Sequence, residues 1–149
     1  MMLSYGTPEY FMREALKQAK LACDASEIPV GAVIVCKNRI IAKAYNQVEL
    51  LKDPTGHAEM LAITAACNYL GSKYLPECTL YVSLEPCVMC AGAISWAQLG
   101  ALCFAASDPK RGFRVYNSGL LHPKTKLLDQ ILEQESEEII KAFFKDLRE

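Results

Sequence analysis

A His-x-Glu triplet, His57-Ala58-Glu59, and a Pro-Cys-x-x-Cys run, Pro86-Cys87-Val88-Met89-Cys90, restrict this chain more than any other feature of its 149 residues. If their side chains act together, two segments about thirty residues apart must meet at one point. One histidine and two cysteines are three ligands for zinc, which takes imidazole nitrogen and thiolate sulfur in a tetrahedron. A structural site normally closes with a fourth protein ligand, whereas three leave a position for water. Glu59 is then the odd member. On a helix, side chains two residues apart diverge by roughly 200°, so Glu59 is expected to miss a metal held by His57 and to reach the water instead.

The flanking residues supply local geometry. Asp53-Pro54-Thr55-Gly56 reads as a turn and helix start, a capping side chain followed by an early proline, which predicts His57 and Glu59 in a first helical turn. Glu85-Pro86 reads the same way for a second helix, with Cys87 and Cys90 three residues apart on one face of its first turn. Unpaired N–H groups and the positive end of the helix dipole favour thiolate there, the form that binds metal. Alone, the Cys-x-x-Cys would equally fit a redox pair, half of a structural zinc knuckle or two core cysteines. His-x-Glu upstream of Pro-Cys-x-x-Cys resembles instead the signature of zinc-dependent base deaminases.

Around these motifs the chain reads as one domain, 1–149, with 52% hydrophobic and 22% charged residues. No stretch is long and apolar enough for a membrane span, and Glu9, Arg13 and Glu14 stand where a signal peptide needs an apolar run, so a cytoplasmic protein without membrane partners is expected. Seven cysteines without framework spacing fit reduced thiols, and those outside the Cys87/Cys90 pair read as small core hydrophobes. A net charge of −1 excludes a generally basic nucleic-acid binder. Any polyanion site must be local, and the candidates are Lys110, Arg111 and Arg114, then Lys124 and Lys126, then Lys141, Lys145 and Arg148, each of which also reads as a solvated face.

In chain order, Thr7-Pro8-Glu9 opens an amphipathic helix to about residue 25, and residues 28–36 and 40–45 read as a hairpin of two buried strands. On the first strand, Gly31 and Ala32 leave room either for a flat ligand or for a closely packed helix. Asn46 stands at the end of the second strand, as a turn former or as a residue able to pair with a ribose or base edge. A helix after His57 should stop at Gly71, and residues 79–83 and 101–106 should form strands flanking the Cys87/Cys90 helix, which ends near Gly100. A strand, a helix and a strand in that order imply a parallel crossover, with both metal-binding helix starts at the C-terminal edge of the sheet. Asp108-Pro109-Lys110-Arg111-Gly112 is a turn, and loop chemistry runs to about residue 126. Ile139, Ile140, Phe143, Phe144 and Leu147 make one face of a closing helix.

The stretches at 53–59 and 79–94 resemble the bacterial tRNA-specific adenosine deaminases of the cytidine-deaminase-like superfamily, a similarity running from the first helix to the last. The resemblance implies a three-layer α/β/α sandwich with a mixed five-stranded sheet, a homodimer, and one zinc ion per subunit. It implies conversion of the wobble adenosine of a tRNA anticodon stem-loop to inosine. It makes His57, Cys87 and Cys90 the zinc ligands, Glu59 the proton shuttle and Asn46 a nucleoside contact. Asp108, Lys110 and Gly112 match a family stretch lining the RNA-facing side, and Ala32, Arg111 and Phe144 are further substrate-side candidates. Gly56 departs from the alanine frequent in relatives, the loop after Gly112 is slightly shorter than in some members, and no long basic tail follows. Two alternatives share the motif, a free-base deaminase acting on guanine or cytosine and a non-catalytic, zinc-stabilised subunit of a deaminase. Glu59 argues against the second.

Overall fold

The structure is a computed structural model that describes residues 6–117 and 119–148. Helix α1 (Pro8–Asp24) begins where Thr7 accepts a hydrogen bond from Tyr10 N–H at 3.1 Å, with Pro8 in the first turn. Strands β1 (Gly31–Cys36) and β2 (Arg39–Tyr45) pair antiparallel across a two-residue turn, Lys37 and Asn38, both at positive φ (51° and 65°), the backbone that matches strand twist in tight hairpins. A short helix α2 (Val48–Leu51) precedes α3 (Ala58–Leu70), which stops at Gly71 in the left-handed region. Then come β3 (Cys78–Leu84), α4 (Val88–Ala97), β4 (Ala101–Ala106), a single helical turn α5 (Phe113–Tyr116), β5 (Lys126–Leu128) and α6 (Glu133–Arg148).

The five strands form one sheet in the order β2-β1-β3-β4-β5, with β1 antiparallel to β2 and β3, and β4 parallel to β3 and β5. This is the mixed five-stranded sheet expected. Alternation along the strands splits the core in two. Ile34, Leu80, Val82, Leu102 and Phe104 pack with Ala58, Ala62, Ala66, Ala91 and Ile94 of α3 and α4. Val33, Val35, Tyr81, Cys103 and Ala105 pack with Phe11, Met12 and Ala15 of α1, and α6 adds Leu132 just before its start. The result is three layers, α/β/α. Gly31 answers the question its strand raised, because a Cβ there would meet the Ala15 carbonyl and the Ala19 amide of α1, so the missing side chain admits a helix.

Because β2 and β3 both run opposite to β1, the C-terminal ends of β2, β3 and β4 lie at one edge. Asn46 and Glu85 follow the first two ends directly, and Asp108 follows the third after Ser107. Three boundaries differ from the sequence reading. Asp53 and Pro54 do not cap α3: the Asp53 carboxylate accepts from Thr55 N–H and Oγ1–H (2.8 and 2.7 Å), which uses it in a turn, and His57 takes the N-cap. Pro86 likewise lies outside α4, whose N-cap is Cys87 and whose end comes at Ala97, because Gln98 turns left-handed before Gly100. The stretch to residue 126 is not all loop, since Phe113–Tyr116 makes a helical turn and Lys126 opens the fifth strand.

Candidate active site

His57 and Cys87 occupy the N-caps of α3 and α4, and Cys90 lies one turn into α4, so two helix N-termini converge on one point. His57 Nδ1 is 3.7 Å from Cys87 Sγ and 3.6 Å from Cys90 Sγ, and the three ligand atoms all lie within 4.8 Å of one another. Tetrahedral zinc at ordinary Zn–S and Zn–N bond lengths sets its sulfur and nitrogen ligands about 3.6 Å apart. The donor set therefore fits zinc in spacing as well as chemistry. The imidazole is also hydrogen-bonded to the Pro54 backbone, which has only a carbonyl to offer. Orientation of a ligating histidine by such an outer partner is usual in metal sites.

The electrostatics prepare the thiols unequally. A hydrogen bond from Cys90, helped by His57, holds the Cys87 thiol down to about 4 against its partial burial. Cys90 gives that hydrogen bond and is fully buried, and both effects push its thiol up. His57 is raised in turn, first by its hydrogen bond to Cys87. Glu59 is 4% exposed, and burial pushes its carboxyl up to about 7.

His57, Glu59 and Cys87 open into a cleft of about 1180 Å³. Asn46, Asp108, Lys110, Arg111, Lys141 and Phe144 line the same cleft, whereas the other basic candidates, Arg114, Lys124, Lys126, Lys145 and Arg148, are not among its lining residues. Cys90 sits behind the lining, as a buried ligand can. Ala32 does not line the cleft. It is fully buried between Ala44 and Val82 in the sheet and packs in the core with α3, so its small side chain serves helix packing. His122 belongs to neither the cleft lining nor the metal cluster, and its Nδ1 accepts from Lys124 N–H at 3.2 Å.

Sequence reasoning missed two buried acids that shape the cleft. Glu27, 1% exposed, accepts from Glu49 N–H (3.0 Å) and Leu50 N–H (2.8 Å), fixing the α2 segment beside Asn46. Glu85, read as a helix starter, instead pairs with Arg114 (Nε–Oε2 3.3 Å) and accepts from Asp108 N–H (3.1 Å). The available signal was a charged residue at the end of an otherwise apolar run, which is costly to bury unless paired.

Comparison with known proteins places these residues in a lineage. Residues 6–106 match the cytidine and deoxycytidylate deaminase zinc-binding region. A tRNA-specific adenosine deaminase of Aquifex aeolicus is 47% identical over 145 residues, covering 94% of this chain and 95% of that protein. A solved structure from a study of A-to-I editing by tRNA:A34 deaminases superposes with a TM-score of 0.82 at 41% identity, over 87% of this chain and 98% of the other. The guanine deaminase of Bacillus subtilis superposes less well, with a TM-score of 0.65 at 42% identity over 76% of this chain and 70% of that one. With a zinc-fitting ligand triad at the sheet edge and this degree of likeness over nearly its whole length, the chain belongs to the family of tRNA-specific adenosine deaminases.

Proposed function

We propose that the chain is a zinc-dependent hydrolase that converts adenosine to inosine at the wobble position of a tRNA anticodon. The observation that carries this reading is the placement of His57, Glu59 and Cys87 in the same cleft as Asn46, Asp108 and Lys110, in a chain most of whose length matches tRNA-specific adenosine deaminases. His57, Cys87 and Cys90 would hold the zinc, which when bound supplies a Lewis acid that lowers the pKa of water toward neutrality. Two thiolates offset much of the metal's charge, so a base is still needed. Glu59 takes the proton of the attacking water and delivers it to N1 of adenine as C6 is attacked, then assists departure of the amine as ammonia. Asn46 offers a donor and an acceptor to the nucleoside.

An anticodon loop presents weakly stacked bases, so extrusion of the target costs less than in a duplex. The exposed Lys110 and Arg111 on one wall and Lys141 on the other can meet phosphates despite the net charge of −1. Purified zinc-loaded protein is expected to form inosine in an anticodon stem-loop, detected by mass spectrometry. Lys110→Glu or Arg111→Glu should weaken stem-loop binding and leave zinc content unchanged. The likeness to a guanine deaminase keeps one rival, and efficient turnover of guanine with an untouched stem-loop would establish it in place of the tRNA reading.

A homodimer is part of the same proposal. Helix α4 is apolar but for Ser95, and on its outward side Val88 and Trp96 are exposed, Trp96 by 83%, while Met89, Gly92 and Ala93 are only half-buried. A helix apolar all round is ordinarily buried. A second copy of the chain, presenting the same face, would cover both. Trp96→Glu is expected to shift the protein to monomer in sedimentation velocity. A variant that sediments as the wild-type dimer would rule out this face. A cytoplasmic location follows from the substrate. None of the described helices is long and apolar enough to cross a membrane.

A further inference from the structure

The proton chemistry makes no use of the Glu85–Arg114 pair, yet this pair joins the segment that leads into Cys87 to the cleft-lining turn at Asp108. Glu85, 4% exposed, lies two residues before Cys87. Its carboxylate accepts from Arg114 Nε and Nη2, both at 3.3 Å, and from the backbone N–H groups of Arg114 and Asp108, both at 3.1 Å. Arg114 also donates to Ser107 Oγ (3.0 Å) and Asp129 Oδ2 (3.1 Å), and its guanidinium lies 4.8 Å over the Phe104 ring. Phe113 N–H donates to the Pro86 carbonyl at 2.8 Å alongside. A Cβ at Gly112 would run into the Glu85 carboxylate, so the turn closes directly on this pair.

The segment so held is the one that carries the exposed cations. Asp108 Oδ1 accepts from Lys110 N–H (3.1 Å) and Arg111 N–H (3.0 Å), completing a turn anchored at one end by Asp108 N–H and at the other by Arg114 N–H on the same carboxylate. Asp129, the other partner of Arg114, lies between β5 and α6, and α6 supplies Lys141, Phe143 and Phe144 to the same cleft. A buried carboxylate is costly unless fully paired, so four donors on Glu85 leave this arrangement little freedom. A loop ordered before binding loses less conformational entropy when RNA arrives.

We propose that Arg114, acting through Glu85, is a positioning residue for RNA: it fixes the 107–112 turn so that Lys110 and Arg111 are already placed for backbone phosphates. This rests on the tRNA reading above. The test uses zinc-loaded protein with Arg114→Gln and with the double change Glu85→Gln/Arg114→Gln, which removes the pair without stranding a buried charge. Stem-loop deamination is measured across salt concentrations, and amide hydrogen exchange on the protein alone. Zinc content and kcat should stay near wild type while KM rises about tenfold, and the salt dependence of 1/KM should become shallower by about one to two phosphate contacts. Exchange should accelerate over 107–114 and not over 88–97. Arg114→Lys, which keeps the charge but not the planar fork, should fall between. A general structural role would lower the active fraction, and so kcat, at unchanged KM and salt slope. That outcome, or wild-type KM and slope in both variants, overturns the proposal while the tRNA assignment stands. A wild-type protein inactive on the stem-loop removes both.

Discussion

Glu59→Gln is expected to reduce stem-loop deamination by about two to four orders of magnitude, the usual scale for a positioned general acid–base group, with zinc content and fold retained. The substitution preserves shape and hydrogen-bonding capacity but can neither take the water proton nor hand it to N1. Glu59 follows the His57 N-cap by two residues and hydrogen-bonds the Cys90 thiol, yet it is absent from the group of side chains whose donors cluster. Loss of zinc is therefore not the expected route of inactivation. The amide is nearly isosteric with the carboxyl, so the change leaves no cavity in this buried position. The measurement is single-turnover inosine formation alongside metal analysis. Near-normal turnover in zinc-loaded Glu59→Gln would refute the proton-shuttle role.

The cluster of His57, Cys87 and Cys90 was legible because its chemistry is local: each motif spans a few residues, and a helix N-terminus next to each orients the side chains. The same holds for the first helix, with Thr7 and Pro8 at its start, and for Gly71 at the stop of α3. Two acids read as helix starts have other partners. Asp53 is used locally by Thr55, two residues on, which a turn explains as well as a cap, while Glu85 pairs with Arg114, 29 residues away. No short pattern announces such a pair. Strand β5 was invisible for a different reason: Lys126, Leu127 and Leu128 are all exposed at the sheet edge, so three residues carry no burial alternation to read. Ala32 shows the limit of small residues as signals, since helix packing and ligand approach ask for the same side chain.

Cys90→Ala should abolish stable zinc binding and, with it, essentially all turnover, whereas His122→Ala should alter neither. Cys90 is fully buried at 3.6 Å from His57 Nδ1, and no other sulfur, imidazole or carboxylate among the described residues joins the cluster to replace it. Two ligands cannot fix a tetrahedral metal against competition from water. His122, the other histidine of the chain, is occupied with the Lys124 amide and lies outside the cleft lining. X-ray absorption on the wild-type protein should find two sulfurs at about 2.3 Å and lighter ligands near 2.0–2.1 Å. A third sulfur in the active protein, or full zinc occupancy and activity in Cys90→Ala, would show that the metal is held by a different set of residues.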